Sequence, residues 1–343
     1  MADVTVRGAG IFGLSIAWVC VQRGARVQLI DPCGPAAGSS GGIVGALAPH
    51  VPENWNAKKA FQLDSLLMAG AFWRDVEAAG GKRTGYTRSG RLQPIADEPA
   101  LSLAHRRAET ATELWQDKAS WVVEPVSGHS WVPHSPTGWI VRDTLSAHLH
   151  PRNACMALVA ALDAHGVTVQ SHGESRGPVV WATGVSGLTD LNAVRSRSVG
   201  TGVKGQAALL QYDARHAPQL FADTVHVIPH LDGTVAIGST SEREYDSPHE
   251  TDTQLDIIIA KARDAVPVLR DAKVVQRWAG VRPRARSRAP MLGAWPDRPG
   301  HFIANGGFKI GFGMAPKVAE VMADLLLEGR NHIPAGFDVE ASL

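Results

Sequence analysis

The beginning of the chain constrains the fold most strongly, because it places a glycine-rich turn directly after a short β-branched run. Val4–Val6 have the character of a buried strand. Gly8, Gly10 and Gly13 then form the pattern G-x-G-x-x-G. In a βαβ unit these glycines allow a tight turn, approach of the backbone to a pyrophosphate, and close packing of the helix on the sheet. The pattern therefore predicts a dinucleotide-binding unit whose helix N-terminus faces the phosphates.

The next residues complete this unit and bear on which dinucleotide it binds. Leu14–Arg23 continue the helix, Gly24 suits its C-cap, and Val27–Ile30 form the second strand. Asp31 closes that strand. A carboxylate there accepts hydrogen bonds from ribose hydroxyls and repels a 2′-phosphate, which argues against NADP. NAD and FAD share this first unit, so the rest of the chain must decide between them.

Three further segments favour FAD. Small residues dominate positions 34–46, so this segment can lie along a bound cofactor with its backbone close to it. A short apolar strand at 179–181 leads into Thr183 and Gly184. Residues 301–329 read as a strand, a glycine-rich loop and a helix with Pro316 in its first turn. A helix N-terminus aimed at a flavin would stabilise negative charge on the reduced ring.

These segments define the predicted cofactor contacts. They are Gly8, Gly10, Ile11, Phe12, Gly13, Asp31, Ser39, Ser40, Gly41, Gly42, Ile43, Thr183, Gly184, Gly307, Phe308, Lys309, Ile310, Gly311, Phe312 and Gly313.

Composition narrows the class of protein further. The 34 Lys and Arg residues balance 33 Asp and Glu, so no global field favours a polyanion and a nucleic-acid partner is not expected. Three widely spaced cysteines indicate free thiols in a reducing compartment. No apolar run approaches the roughly 20 residues of a membrane-spanning helix, so we expect a cytoplasmic protein without membrane insertion. Neither H-E-x-x-H nor C-x-x-C occurs, and no metal site is predicted.

In their order along the chain, these segments resemble the D-amino-acid oxidase superfamily, specifically its glycine oxidase and sarcosine oxidase branch. The resemblance implies an α/β protein: a Rossmann-type, glutathione-reductase-like FAD-binding domain interleaved with an α+β substrate domain on an antiparallel sheet. Sarcosine oxidases attach their flavin to a cysteine near the position of Met291, and this chain has none there. We therefore expect FAD to be bound non-covalently. The expected domains are 1–50, 148–200 and 281–343 for FAD binding, and 51–147 and 201–280 for substrate binding.

The same resemblance implies a reaction and three catalytic candidates. Hydride transfer from the carbon that bears the amine to flavin N5 would give an imine, which water hydrolyses, and O₂ or another acceptor would reoxidise the flavin. Arg282 stands in the run W-x-G-x-R-P, whose arginine binds the substrate carboxylate in the family. Lys309 stands where glycine oxidases carry an arginine; it either activates oxygen, helps to hold the carboxylate, or is simply exposed. His226 replaces a tyrosine of glycine oxidases, which puts glycine itself in doubt as the substrate. It either bonds an acid, shuttles protons near neutral pH, or is an ordinary strand residue.

The leading hypothesis is therefore a flavoenzyme that oxidises glycine, an N-alkylglycine or a D-amino acid. A tRNA wobble-uridine-modifying flavoprotein is the alternative, since such enzymes share the fold, and the arginines at 282–288 could contact RNA. A flavin-binding protein without turnover and an NAD-dependent dehydrogenase are weaker alternatives. The segment 166–180 is too short for the family's adenine-contacting hairpin, so no residue is assigned to that contact. The sequence allows a homo-oligomer.

Overall fold

The computed structural model describes residues 2–343, which form two large sheets, a two-stranded ribbon and seven α-helices within that range. The helices are α1 (Ile11–Gln22), α2 (Ala57–Gly80), α3 (Glu98–Leu114), α4 (Pro151–Ala164), α5 (Gly184–Ala193), α6 (Thr253–Ala265) and α7 (Gly311–Glu328). The strands are β1 (Val4–Arg7), β2 (Val27–Ile30), β3 (Ala46–Leu47), β4 (Arg91–Pro94), β5 (Trp121–Pro125), β6 (Trp139–Asp143), β7 (Ala147–His148), β8 (Val169–Gln170), β9 (Val179–Trp181), β10 (Gly200–Gln211), β11 (Gln219–Ala222), β12 (Val225–Pro229), β13 (Thr234–Gly238), β14 (Val274–Ala285), β15 (Met291–Ala294) and β16 (His301–Asn305).

The first sheet is mostly parallel and has the predicted βαβ unit at its centre. Its strand order is β15-β16-β9-β1-β2-β8, and only the edge pair β15 and β16 is antiparallel. Val4 and Val6 of β1 are fully buried, as expected for a parallel sheet covered on both faces. Because the carboxyl ends of β1 and β9 lie side by side, the glycine turn adjoins the loop that precedes α5.

Close packing around helix α1 depends on two glycines. Gly8 has a φ of 107°, which an L-residue with a side chain rarely adopts. A Cβ atom at Gly13 would lie 1.9 Å from the carbonyl oxygen of Gly8. Helix α1 therefore touches the turn after β1, and the steric roles expected of these two residues are confirmed. The helix packs against α4 and α7, and α2 packs against the same two helices.

The second sheet has eight strands in the order β14-β10-β13-β12-β11-β4-β6-β5. All neighbours are antiparallel except β11 and β4, which run parallel. Helix α6 packs against β10, β12 and β13, and apolar residues from both sides form a separate core there. The mixed α/β fold class is thus confirmed. The division into two interleaved domains stays a prediction, and its boundary at residue 280 falls inside the continuous strand β14.

One helix start differs from the sequence prediction. Helix α7 begins at Gly311, so Pro316 lies inside the helix rather than in its first turn. Gly311 and Gly313, expected in a loop, belong to its first turn. The physical reason is tertiary: α7 packs on α1 and α2 from its N-terminal end, with Met314 and Ala315 fully buried. This packing offsets the one backbone hydrogen bond that the proline cannot donate.

Candidate active site

A cavity of about 950 Å³ lies between the two sheets. The three catalytic candidates Arg282, Lys309 and His226 all line it, and so do sixteen of the predicted cofactor contacts. Four predicted contacts do not line it: Gly13, Gly41, Ile310 and Gly313. They lie behind the wall, and Gly13 and Gly41 instead permit close backbone packing.

Several lining residues were not anticipated from the sequence. Trp278 lies on β14 four residues before Arg282, so the period-2 alternation of a strand could have placed it on the same face. Trp181 also lines the cavity, at the end of the strand 179–181 that the sequence placed near the cofactor. Phe221 and Tyr245 line it too, but they come from segments without a recognisable motif, and only the folded chain brings them here.

The glycine turn at one end of the cavity is held by two side chains. The Asp31 carboxylate accepts the backbone N–H of Ala9 at 2.7 Å and that of Cys33 at 2.9 Å. The hydroxyl of Ser40 accepts the N–H of Ile11, the first residue of α1, at 3.0 Å. Asp31 thus orders the turn that it adjoins and stays on the cavity wall, where the sequence places the ribose.

The shape of the wall fits an extended dinucleotide. A Cβ atom at Gly42 would lie 3.2 Å from the Trp278 ring, and a Cβ atom at Gly307 would lie 2.8 Å from the Phe12 ring. A Cβ would overlap the Phe12 ring at Gly307 and crowd the Trp278 ring at Gly42, so both positions of the wall favour glycine. Helices α1, α5 and α7 all begin at this wall without a side-chain cap from the preceding residue. Their N-termini favour an anion such as a pyrophosphate.

Arg282 is held rigidly at the other end of the cavity. Its Nη1 donates to the Ser239 hydroxyl at 2.7 Å, and its Nη2 donates to the carbonyls of Thr240 at 2.7 Å and Lys204 at 3.2 Å. Its Nε is buried and has no hydrogen-bond partner. Burial lowers the pKa of Arg282 to about 10, against the opposing effect of the Glu242 charge. The guanidinium remains charged at neutral pH, and its Nη1, which makes one hydrogen bond, has a second N–H that no protein group accepts.

Three cations surround the ring of Phe308. The guanidinium carbons of Arg282 and Arg284 and the Nζ atom of Lys309 lie 5.5, 5.6 and 5.7 Å from its centroid. These distances are within the range of cation–π attraction. Lys309 is exposed at the edge of the cavity, as one of the alternatives from the sequence had it, and partial desolvation with the charges of both arginines lowers its pKa. No side chain is paired with Lys309 among the ion pairs of residues 2–343, so this end of the cavity is electropositive.

His226 is neutral at physiological pH. Burial, with the charges of Arg91 and Lys309, lowers its pKa to about 3. Its Nδ1 is buried without a hydrogen-bond partner, and its ring lies 4.6 Å from that of Phe221. A pKa this low argues against a proton shuttle near neutral pH, one of the roles considered from the sequence, and the role of His226 stays a prediction. A neutral imidazole at this place can still donate or accept one hydrogen bond.

Within residues 2–343, no helix is long and apolar enough to cross a membrane. The same residues contain no group of three or more His, Cys, Asp or Glu side chains arranged to hold a metal ion.

Comparison with known proteins shows the family to which the chain belongs. The bifunctional ThiO/ThiG protein of Synechocystis sp. (strain PCC 6803) is 28% identical over 95% of this chain, which spans about half (52%) of that relative's length. The glycine oxidase of Pseudomonas aeruginosa is 28% identical, with 96% of each chain covered. The crystal structure of glycine oxidase from Geobacillus kaustophilus superposes with a TM-score of 0.84 at 19% identity, covering 98% of both chains. This likeness shows a shared fold. The model of the DAO family, described as FAD dependent oxidoreductase, matches residues 3–325. The chain therefore belongs to the DAO family of FAD-dependent oxidoreductases.

Proposed function

We propose that this enzyme oxidises the C–N bond of a small amino acid or secondary amine that carries a carboxylate, such as glycine, an N-alkylglycine or a D-amino acid. The observation that carries the proposal is Arg282, a charged guanidinium fixed in the cavity wall whose Nη1 donates only one of its two N–H groups to the protein. A guanidinium binds a carboxylate directionally, which orients as well as attracts the ligand. The glycine oxidase of Pseudomonas aeruginosa, similar over nearly its whole length, supports the same substrate class.

Each residue at this end of the cavity has a distinct task in the proposed reaction. Bound FAD supplies the two-electron acceptor for oxidation of the carbon that bears the amine. Arg282 holds the carboxylate, and Lys309 adds positive charge beside it. His226 offers a neutral hydrogen bond. The apolar walls formed by Ile43 and Trp278 exclude water, which strengthens every polar contact made inside.

Correct positioning of the substrate is the main contribution expected from the protein. Holding a C–H bond in a reactive orientation can account for several kcal/mol of the barrier, up to about 7–11 kcal/mol in the most favourable cases. Arg282 suits this role because three hydrogen bonds from Nη1 and Nη2 already fix its guanidinium plane. A carboxylate bound to this guanidinium is therefore held in a fixed orientation.

The test is anaerobic mixing of the FAD-loaded enzyme with glycine, sarcosine, other N-alkylglycines, and D- and L-amino acids, while the visible absorbance of the flavin is followed. We expect one class to bleach the flavin. Arg282→Lys should keep its FAD but raise the substrate KM about 10- to 100-fold, because charge-assisted hydrogen bonds contribute about 1.5–3 kcal/mol each. Arg288→Lys is the matched control, since Arg288 is exposed and outside the cavity lining.

Two results would contradict the proposal. Full retention of yellow colour with every compound would exclude free amino acids and favour an unusual amine, such as a modified nucleoside, as the substrate. Bleaching that is equally fast in Arg282→Lys would remove Arg282 from substrate binding.

A further inference from the structure

The side chain of Arg282 crosses a neighbouring strand to reach its hydrogen-bond partners. Arg282 belongs to β14, and its guanidinium donates to Ser239 and Thr240, the two residues that directly follow β13. Strand β10 lies between β14 and β13 in the sheet. A Cβ atom at Gly205 of β10 would lie only 2.6 Å from the Cζ atom of Arg282. The guanidinium therefore lies directly over Gly205, where the lack of a side chain leaves room for it.

The two adjacent residues Ser239 and Thr240 use their hydroxyl groups differently. The Thr240 hydroxyl accepts the N–H of Gln206 at 2.8 Å and donates to the Glu242 carboxylate, so it both accepts and donates within the protein. The Ser239 hydroxyl accepts from Nη1 of Arg282 at 2.7 Å, and within residues 2–343 its own proton has no protein acceptor. Ser239 lines the cavity, whereas Thr240 does not. Ser239 thus has a donor for a ligand.

Arg282 has its own unused donor beside this hydroxyl. Its Nη2 donates to the carbonyls of Lys204 and Thr240, and its Nε is buried. Nη1 makes a single hydrogen bond, to Ser239, and so has a second N–H. The two atoms with an unused proton, Nη1 of Arg282 and Oγ of Ser239, are therefore 2.7 Å apart, and both residues line the cavity. A carboxylate can accept both protons, because its two oxygens accept hydrogen bonds side by side.

We propose that Ser239 is a second binding residue for the substrate carboxylate, with its hydroxyl donating to one carboxylate oxygen while Nη1 of Arg282 donates to the other. The inference rests on the proposed function, because it takes the ligand to be a carboxylate. The hydrogen bond from the guanidinium to Ser239 polarises the hydroxyl and so strengthens it as a donor. Two donors on fixed atoms also prevent a rotation of the carboxylate that one donor alone would allow. Ser239 therefore helps to orient the carbon that is oxidised.

The experiment measures acetate binding to the FAD-loaded enzyme by isothermal titration calorimetry, so that turnover is not the readout. We expect Ser239→Ala to raise the acetate Kd about 10-fold, because a hydrogen bond to a charged ligand is lost. The FAD content should stay that of the wild type. Ser171→Ala is the matched control and should leave the Kd unchanged, since Ser171 is exposed and lies outside the cavity lining.

A double-mutant cycle separates direct contact with the ligand from an effect through Arg282. If Ser239 donates to the ligand, Ser239→Ala should still raise the Kd at least about threefold in an Arg282→Lys enzyme, which has no guanidinium to hold in place. If Ser239 only fixes the guanidinium, the substitution should have no effect in that background, and this result would overturn the inference. Ser239→Cys keeps the size of the side chain but is a weak donor, and it replaces Ser239→Ala in the cycle if that variant fails to fold.

Failure of the inference can be told apart from failure of the proposed function. A wild-type enzyme that binds no acetate would contradict both. Acetate binding that is equally tight in the wild type and in Ser239→Ala contradicts the inference alone.

Discussion

The guanidinium carbon of Arg282 lies 5.5 Å from the centroid of the Phe308 ring, which joins strand β14 to the loop before helix α7. The same ring has Lys309 Nζ at 5.7 Å. Phe308 thus connects the residue proposed to hold the carboxylate with the residue proposed to add charge beside it. Its φ of 44° lies in the left-handed region, which is uncommon for an aromatic residue.

Phe308 is expected to hold the neighbouring cations in place and so to strengthen their binding of a carboxylate. Phe308→Leu keeps an apolar side chain but removes the π face, which is worth about 0.5–2 kcal/mol per cation. We expect the acetate Kd to rise about three- to tenfold, with FAD content unchanged. Phe308→Tyr retains the ring and serves as the control. Equal affinity in Phe308→Leu and the wild type would show that the ring only fills space.

The neutral state of His226 predicts a pH dependence of stability. Its pKa falls from 6.5 to about 3 on folding, so below pH 6.5 the unfolded chain binds a proton that the folded chain does not. Stability is therefore complete above about pH 6.5 and is lost as the pH falls towards 3, at up to about 1.4 kcal/mol per pH unit. Urea unfolding of wild type and His226→Gln should show a smaller loss between about pH 8 and pH 5 in the variant. Parallel losses in the two proteins would contradict this prediction.

Because helix α1 contacts the glycine turn so closely, one added methyl group at Gly13 should strongly reduce folding stability and FAD retention. In Gly13→Ala the new Cβ would lie 1.9 Å from the Gly8 carbonyl oxygen. Backbone must move, so we expect a loss of about 3 kcal/mol in unfolding free energy together with weaker FAD retention. Gly128→Ala is the control, because a Cβ there meets no atom within 4 Å. The two variants are compared by thermal unfolding and by flavin absorbance after desalting.

The buried ion pair of Arg91 and Asp143 should contribute far more to folding stability than the more exposed pair of Arg142 and Glu124. Arg91 Nε donates to Asp143 at 2.9 Å, and their side chains are 7% and 0% exposed. Asp143→Asn leaves the Arg91 charge buried and unpaired, which should cost about 3–5 kcal/mol. Glu124→Gln breaks the 2.9 Å pair with Arg142, whose side chain is 44% exposed, and should cost less than about 1 kcal/mol. Similar losses in the two variants, measured by urea unfolding, would contradict this account.

Local residues were enough to predict the nucleotide-binding unit. The glycine spacing and the β-branched strands are patterns within about thirty residues, and Asp31, which accepts a hydrogen bond from the turn, follows the adjacent strand β2. Arg282 could be singled out only through its resemblance to a family motif. Neither approach indicated the start of α7, because its first turn is stabilised by packing against α1 and α2.

The sequence by itself determined the βαβ unit, the preference for FAD and the candidates Arg282, Lys309 and His226, since these depend on local patterns or on motif resemblance. Only the tertiary structure decided that His226 is neutral, since its pKa depends on burial and on the distant Arg91 and Lys309. It also decided that Arg282, Arg284 and Lys309 meet around the Phe308 ring, and that Lys204 pairs with Glu242. Desolvation and charge pairing depend on neighbours in space, and those neighbours come from segments far apart along the chain.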